Sequence, residues 1–221
     1  MRPIVKICGL TRADDVRMCV RHGADIIGVV VDYPRPVPWN LSVQAATELA
    51  KSVPAPAKIC VVTGGQADKI LGIALETKAD YIQLHCGETL EDTAYIASML
   101  RKHSIKVIKA LFPDMPDLEQ AAERFSAAGV YALLLDPRTP DNVISAGAAN
   151  FSVYEKIRRV ASCPVILAGG ITHVNVKEAI TQTGAPAIDL MTSVERSPGV
   201  KDEAKVRALF QELLTLSSIS R

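Results

Sequence analysis

The chain has 221 residues, 48% hydrophobic and 22% charged, with a formal net charge of +1, a composition that excludes disordered and fibrous classes. A charge so close to zero gives no electrostatic reason for nucleic-acid or anionic-membrane partners, and no apolar run approaches the roughly 18 residues of a transmembrane helix. The five cysteines show no CxxC or paired metal spacing, and the start Met1-Arg2-Pro3-Ile4-Val5-Lys6 lacks the shape of a signal peptide, so a cytoplasmic protein with reduced thiols and no metal site is expected.

In chain order, eight apolar runs of strand length begin near residues 4, 25, 58, 81, 105, 130, 164 and 187. Each is followed by a stretch of helical periodicity. The first helix is predicted over about Arg12 to His22, with Thr11 as N-cap and Asp14 at its third position. The last is predicted over about Lys201 to Leu216, on the spacing of Val206, Leu209, Phe210, Leu213 and Leu214, and the tail Ser217–Arg221 is expected to fray. Alternating strands and helices imply a parallel sheet with right-handed crossovers. Eight units predict a closed (β/α)8 barrel, one domain over residues 1–221. An open doubly wound sheet is second choice, because no GxGxxG follows the first strand.

Two units are longer than the rest. One loop follows the second predicted strand, from Asp32 to Asn40. The other follows the sixth, from Asp136 to Asn142, and runs into the small-residue segment Ala146 to Ala149. Long loops of this kind are often binding loops, and both leave the face where barrel strands end.

Reactive residues gather at those strand ends. Cys8 closes the first strand, where a thiol with a lowered pKa can serve as a base, and Gly9 after it permits close approach of a substrate; the alternative is a buried structural cysteine. Asp136 closes the sixth, in an apolar mouth where desolvation would raise its pKa and make it a proton donor; otherwise it caps a helix or pairs with Arg138. His85 closes the fourth and either binds substrate or caps the strand end. Arg35, between two prolines, suits a carboxylate or stands as a solvated loop residue. Asp189, among apolar residues of the last strand, needs a partner or serves substrate hydroxyls. Gly169-Gly170, after the seventh strand, and Thr192-Ser193, after the eighth, fall where such barrels hold phosphate; the loop after the eighth can form a short helix whose N-terminus attracts negative charge. The plain alternative for the glycines is a tight turn. Cys19, Cys60 and Cys163 look structural, and Cys86 is assigned no role.

These segments together resemble the phosphoribosylanthranilate isomerase family of tryptophan biosynthesis. The resemblance rests on Lys6-Ile7-Cys8-Gly9-Leu10-Thr11, then Gly23-Ala24-Asp25 with Gly28 and Pro34-Arg35-Pro36-Val37, then Ile82-Gln83-Leu84-His85. It continues through Leu134-Leu135-Asp136, Leu167-Ala168-Gly169-Gly170-Ile171, Asp189, Ser193-Val194-Glu195 and Pro198-Gly199-Val200-Lys201-Asp202. It implies an Amadori rearrangement of N-(5′-phosphoribosyl)anthranilate without metal or cofactor, with the acid matching Asp136 and the base matching Cys8. It further implies that Arg35 holds the anthranilate carboxylate, that His85 and Asp189 line the pocket, and that the last two loops hold the phosphate. A small phosphorylated substrate and a monomer or homodimer are the expected partners.

Two segments depart from the family pattern. Where the family carries Gly-Gly-Thr-Gly, the nearest match is Ala146-Gly147-Ala148-Ala149-Asn150, and its Ser-Gly-Val-Glu is here Thr192-Ser193-Val194-Glu195. Two other functions therefore stay open. One is a Schiff-base lyase or aldolase using Lys109, at the end of the fifth strand, with a pKa lowered by desolvation. The other is a phosphometabolite-binding barrel that has lost its chemistry.

Overall fold

The computed structural model describes residues 2–139 and 150–219. The parallel sheet comprises β1 (Ile4–Ile7), β2 (Ile26–Val31), β3 (Asn40–Leu41), β4 (Lys58–Thr63), β5 (Tyr81–Leu84), β6 (Lys106–Leu111), β7 (Ala132–Leu135), β8 (Val165–Ala168) and β9 (Ala187–Leu190). It closes because β1 pairs with β2 on one side and β9 on the other, while the two-residue β3 pairs only with the end of β2. Around the ring lie α1 (Ala13–His22), α2 (Val43–Ala50), α3 (Ala67–Thr77), α4 (Leu90–Arg101), α5 (Leu118–Ala127), α6 (Phe151–Val160), α7 (Val176–Thr183) and α8 (Glu203–Ile219). This is the (β/α)8 barrel that the eight strand-helix repeats imply.

Strand alternation sorts the core into two layers. One parity, including Val5, Ile7, Ile27, Leu133 and Ile188, packs outward against the helices. The other, including Ile26, Tyr81, Ile108, Leu134 and Ile166, fills the barrel. At the mouth a third apolar group forms from Cys8, Val30, Tyr33, Trp39, Val62, Cys86 and Met191.

The seam between first and last strands is electrostatic inside and hydrogen-bonded along its length. Lys6 stands opposite Asp189 in register, and its Nζ lies 2.7 Å from Oδ2. Their side chains are 1% and 2% exposed. Burial favours the neutral amine, but Asp189 outweighs it and holds the ammonium above the usual lysine range.

Two local expectations change. Thr11 does not cap α1: the N-cap is Arg12, and Thr11 Oγ1 instead donates to the Gly199 carbonyl at 2.7 Å, tying the first loop to the last. The final helix does not begin at Lys201, because a hairpin of β10 (Glu195–Ser197) and β11 (Val200–Lys201) precedes it. Asp202 then caps α8 by accepting from the Ala204 and Lys205 amides. Helical spacing starts only beyond this cap, and Lys201 is drawn inward by buried acceptors. Ala146 to Ala149, the glycine-poor segment of the long loop, lies outside the described residues, as do Ser220 and Arg221 of the tail. Among the described residues no helix is long and apolar enough to cross a membrane.

Two stability predictions follow from this packing. Lys6→Met strands the Asp189 carboxylate inside the barrel and lowers unfolding free energy by about 3–5 kcal/mol; Lys6→Met with Asp189→Leu recovers most of it. Denaturant unfolding reads both, and a loss below about 1 kcal/mol for Lys6→Met contradicts the seam's role. Gly28 must lack a Cβ for reasons of space: one placed there would lie 2.8 Å from Cys8 Sγ and 2.9 Å from Cys8 Cα. Gly28→Ala should cost about 1–3 kcal/mol and shift Cys8, seen as a lower denaturation midpoint and altered Cys8 thiol reactivity; unchanged values of both would refute it.

Candidate active site

Strand parity and strand ends bring distant residues together. Cys8 follows β1, His85 follows β5, Asp136 follows β7 and Asp189 lies within β9. All four line one cavity with Gln83, Arg138, Tyr33, Trp39 and Met191, enclosing about 420 Å3, part of it open to solvent.

Asp136 is the most constrained group in it. The side chain is 1% exposed, and Arg138 grips it in a fork: Nε to Oδ1 at 3.0 Å, Nη2 to Oδ2 at 2.9 Å, with the Arg138 amide on Oδ1 at 2.9 Å. His85 Nε2 lies 3.1 Å from Oδ2. Burial pushes the carboxyl up, but the Arg138 charge, with hydrogen bonds from His85 and Arg138, outweighs burial and holds it well below the usual carboxylate range. An ionised carboxylate only accepts, so His85 Nε2 carries a hydrogen. At the far side of the ring, Nδ1 meets the Tyr33 hydroxyl at 3.2 Å, and that hydroxyl also lies 3.1 Å from the His85 carbonyl. The expectation of an Asp136 carboxyl raised by desolvation is thus corrected for the ligand-free site.

Cys8 is a free, buried thiol. Burial is the largest influence and pushes it up; Lys6, Arg138 and Lys201 pull it down, Asp189 opposes them, and the balance leaves it above the usual thiol range. The expectation of a thiol already lowered toward neutrality is corrected too: three cations do not offset its desolvation. Each of those cations has its own buried carboxylate. Lys6 pairs with Asp189 and Arg138 with Asp136, while Lys201 Nζ lies 2.8 Å from Glu195 Oε1. Lys201 also donates to the Cys8 carbonyl at 2.6 Å, and Glu195 Oε1 accepts from Trp39 Nε1 at 3.0 Å. Gly9 sits at φ +71°, with Met191 and Trp39 occupying the space where a side chain would go.

Asp189 spends only one oxygen on Lys6. Its Oδ1, like Gln83 Oε1, is buried without a hydrogen-bond partner among the described residues, and both residues face the cavity. A second, adjoining cavity is lined by Gly169, Gly170, Thr192 and Ser193, with Arg138 and Asp189 forming the wall shared with the first. Gly169 and Gly170 adopt φ of +90° and +59°, which a side chain would strain. Thr192–Val194 forms the short helix expected there, as a single 3-10 turn.

Arg35 is exposed on the loop after β2 and does not line the central cavity. It lies two residues beyond Tyr33, which forms part of the cavity wall, and so stands at the rim. Lys109 is corrected as a nucleophile. It lies on the helix-facing parity of β6, donates to Glu88 Oε2 at 2.7 Å and the Cys86 carbonyl at 3.0 Å, and stands over the Phe125 ring. No aldehyde entering the mouth meets it. Among the described residues no cluster of three His, Cys, Asp or Glu is placed to hold a metal.

Sequence reasoning weighed Arg138 only as a possible ion-pair partner and passed over Tyr33, Trp39 and the Glu195–Lys201 pair. For Arg138 the signal was present, since a residue two positions beyond a strand-end carboxylate can turn back onto it. For Glu195 and Lys201 it was not, because their closeness depends on the hairpin.

A sequence model of the N-(5′-phosphoribosyl)anthranilate isomerase family matches residues 5–212. The N-(5′-phosphoribosyl)anthranilate isomerase of Acinetobacter calcoaceticus is 34% identical over 212 residues, covering 96% of each chain. The phosphoribosyl anthranilate isomerase structure from Thermotoga maritima superposes with a TM-score of 0.83 at 28% identity, over 96% of this chain and 99% of that one. A further structure of such an isomerase, in complex with reduced 1-(o-carboxyphenylamino)-1-deoxyribulose 5-phosphate, gives 0.80 at 26% identity over 96% of this chain and 99% of its own. With a match spanning nearly the whole chain, and a barrel mouth that gathers a thiol and a carboxylate, this protein belongs to the N-(5′-phosphoribosyl)anthranilate isomerase family.

Proposed function

We propose that this chain catalyses the Amadori rearrangement of N-(5′-phosphoribosyl)anthranilate to 1-(2-carboxyphenylamino)-1-deoxyribulose 5-phosphate in tryptophan biosynthesis, with Asp136 as general acid and Cys8 as general base. The observation that carries this reading is that Cys8 and Asp136 line the same cavity, beside two buried acceptors that have no partner among the described residues. Asp136 gives a proton to the furanose ring oxygen. As the C1–O bond breaks, the substrate nitrogen supplies its electron pair and a C1=N iminium forms. That iminium is the electron sink, so removal of the C2 proton by the Cys8 thiolate yields a neutral enolamine. Tautomerisation places a proton on C1 and removes one from the C2 hydroxyl, leaving the ketone and restoring both side chains.

The remaining groups orient the substrate. Asp189 Oδ1 and Gln83 Oε1 are positioned to accept from ribose hydroxyls, which removes the cost of their burial unpaired. His85, held by Tyr33, keeps the Asp136 carboxyl facing the cavity. Gly169, Gly170, Thr192 and Ser193 take the phosphate in the adjoining cavity. Arg35, at the rim, takes the anthranilate carboxylate. One substrate spanning both cavities thus meets both reactive groups.

Burial favours the Cys8 thiol over its thiolate and Arg138 favours the Asp136 carboxylate over its acid, the reverse of what the first steps need. The chemistry therefore runs through the minority form in which one proton has moved from thiol to carboxylate.

Two measurements test this reading. Cys8→Ser and Asp136→Asn should each lower turnover, followed by loss of anthranilate fluorescence on freshly made substrate, by at least about 100-fold; no turnover by the folded, phosphate-binding wild type would refute the function itself. The profile of kcat/KM against pH reports the free protein. Asp136 is held below the usual carboxylate range, so the acidic limb lies lower than a typical carboxylate's. Cys8 is pushed above the usual thiol range, so the alkaline limb lies higher. A plateau from about pH 5 to about pH 8 is expected, and a narrow bell centred near neutrality would contradict the assignment.

A further inference from the structure

Arg138 occupies a position that neither the acid nor the base role requires. It forms part of the wall between the central cavity and the one lined by Gly169, Gly170, Thr192 and Ser193. Two of its guanidinium nitrogens are spent on Asp136. The third, Nη1, faces the Met191 thioether at 3.1 Å, the only acceptor opposite it among the described residues, and a weak one for an ionic donor. The fork that keeps Asp136 ionised is thus the cation nearest to hand for an anion entering the second cavity. Guanidinium binds phosphate in the same two-pronged geometry as carboxylate.

We propose that Arg138 is a substrate-operated latch on Asp136: the substrate phosphate and the Asp136 carboxylate compete for its guanidinium, and seating the phosphate releases Asp136 to carry a proton. The inference rests on the reading of Asp136 as the acid and adds how that acid is armed. While no phosphate is present, Arg138 holds the carboxylate ionised. Once the guanidinium turns to phosphate, burial governs the carboxyl and it accepts a proton. The proton gained by Asp136 is drawn from solvent at the open mouth, so seating the phosphate takes up a proton. The arrangement also confers selectivity, because a sugar lacking the phosphate leaves the acid unarmed.

Competition for one cation is a coupling, and coupling is reciprocal. Inorganic phosphate binding, measured by calorimetry at pH 7 on the full chain and located by amide shifts at Gly169, Gly170, Thr192 and Ser193, reads it without turnover. Arg138→Met should weaken phosphate at least about tenfold. Asp136→Asn should tighten it about tenfold when Arg138 is present and less than about twofold in the Arg138→Met background. Equal tightening in both backgrounds would mean plain charge repulsion and overturns the latch, as does phosphate affinity unaffected by Arg138→Met. Should a variant fail to fold, the wild type suffices: the carboxyl carbon of Asp136 in aspartate-labelled protein should titrate at least about one pH unit higher with saturating phosphate, and no movement overturns the proposal. Turnover without this linkage removes the latch and leaves the isomerase reading standing; linkage without turnover does the reverse.

Discussion

Everything functional here depends on the closure of the sheet at β1. A strand that bonds to β2 on one edge and β9 on the other leaves no open edge, and it forces Lys6 and Asp189 to face one another inside the ring. Two charges in that interior are tolerable only as a pair. The same closure sets Cys8 on the inward parity two residues beyond Lys6, above that pair, and turns it toward a carboxylate that follows β7. Gly28 then matters as an absence of volume: the neighbouring strand must give up its side chain so that Cys8 can lie where it does.

The mouth follows a single electrostatic scheme. Three cations act on the thiol, and each is held by a buried carboxylate of its own. The pairs keep their charges fixed in a cavity with largely apolar walls, where they act strongly on whatever enters. They also set the resting protonation, since burial outweighs the cations at Cys8 while Arg138 outweighs burial at Asp136. Two of the three pairs reach the second cavity, one through Asp189 and the other through Arg138, but only Asp136–Arg138 presents its cation there, with a guanidinium nitrogen facing a mere thioether. That asymmetry distinguishes a pair that can change partners from two that hold the architecture.

Much of this was legible in the sequence, for identifiable reasons. Eight apolar runs spaced by amphipathic stretches specify a barrel, and reactive residues just past those runs specify its working face; Cys8, His85 and Asp136 were found that way, Asp189 as a charge within an apolar strand, and all four meet in one cavity. Gly169-Gly170 and the turn at Thr192 were legible because special backbone needs special residues. What failed was whatever depended on contacts between remote segments. Thr11 reads as a helix cap until Gly199 arrives beside it. Lys201 reads as a helix start until Glu195 and the Cys8 carbonyl claim it. Lys109 reads as a strand-end nucleophile, although parity alone turns it toward the helices. The ionisation of Asp136 was misjudged because its apolar flanks were given more weight than the arginine two positions on, whose guanidinium turns back onto it.

The central claim is that one substrate lies between Cys8 and Asp136, and a crystal structure with the reduced product analogue bound tests it most directly. The account predicts Cys8 Sγ against C2 and the Asp136 carboxyl against the hydroxyl derived from the ring oxygen, at about 3–4 Å each, with the phosphate beside Gly169-Gly170. A ligand ordered elsewhere on the barrel, or one that leaves either group out of reach of these atoms, would contradict it.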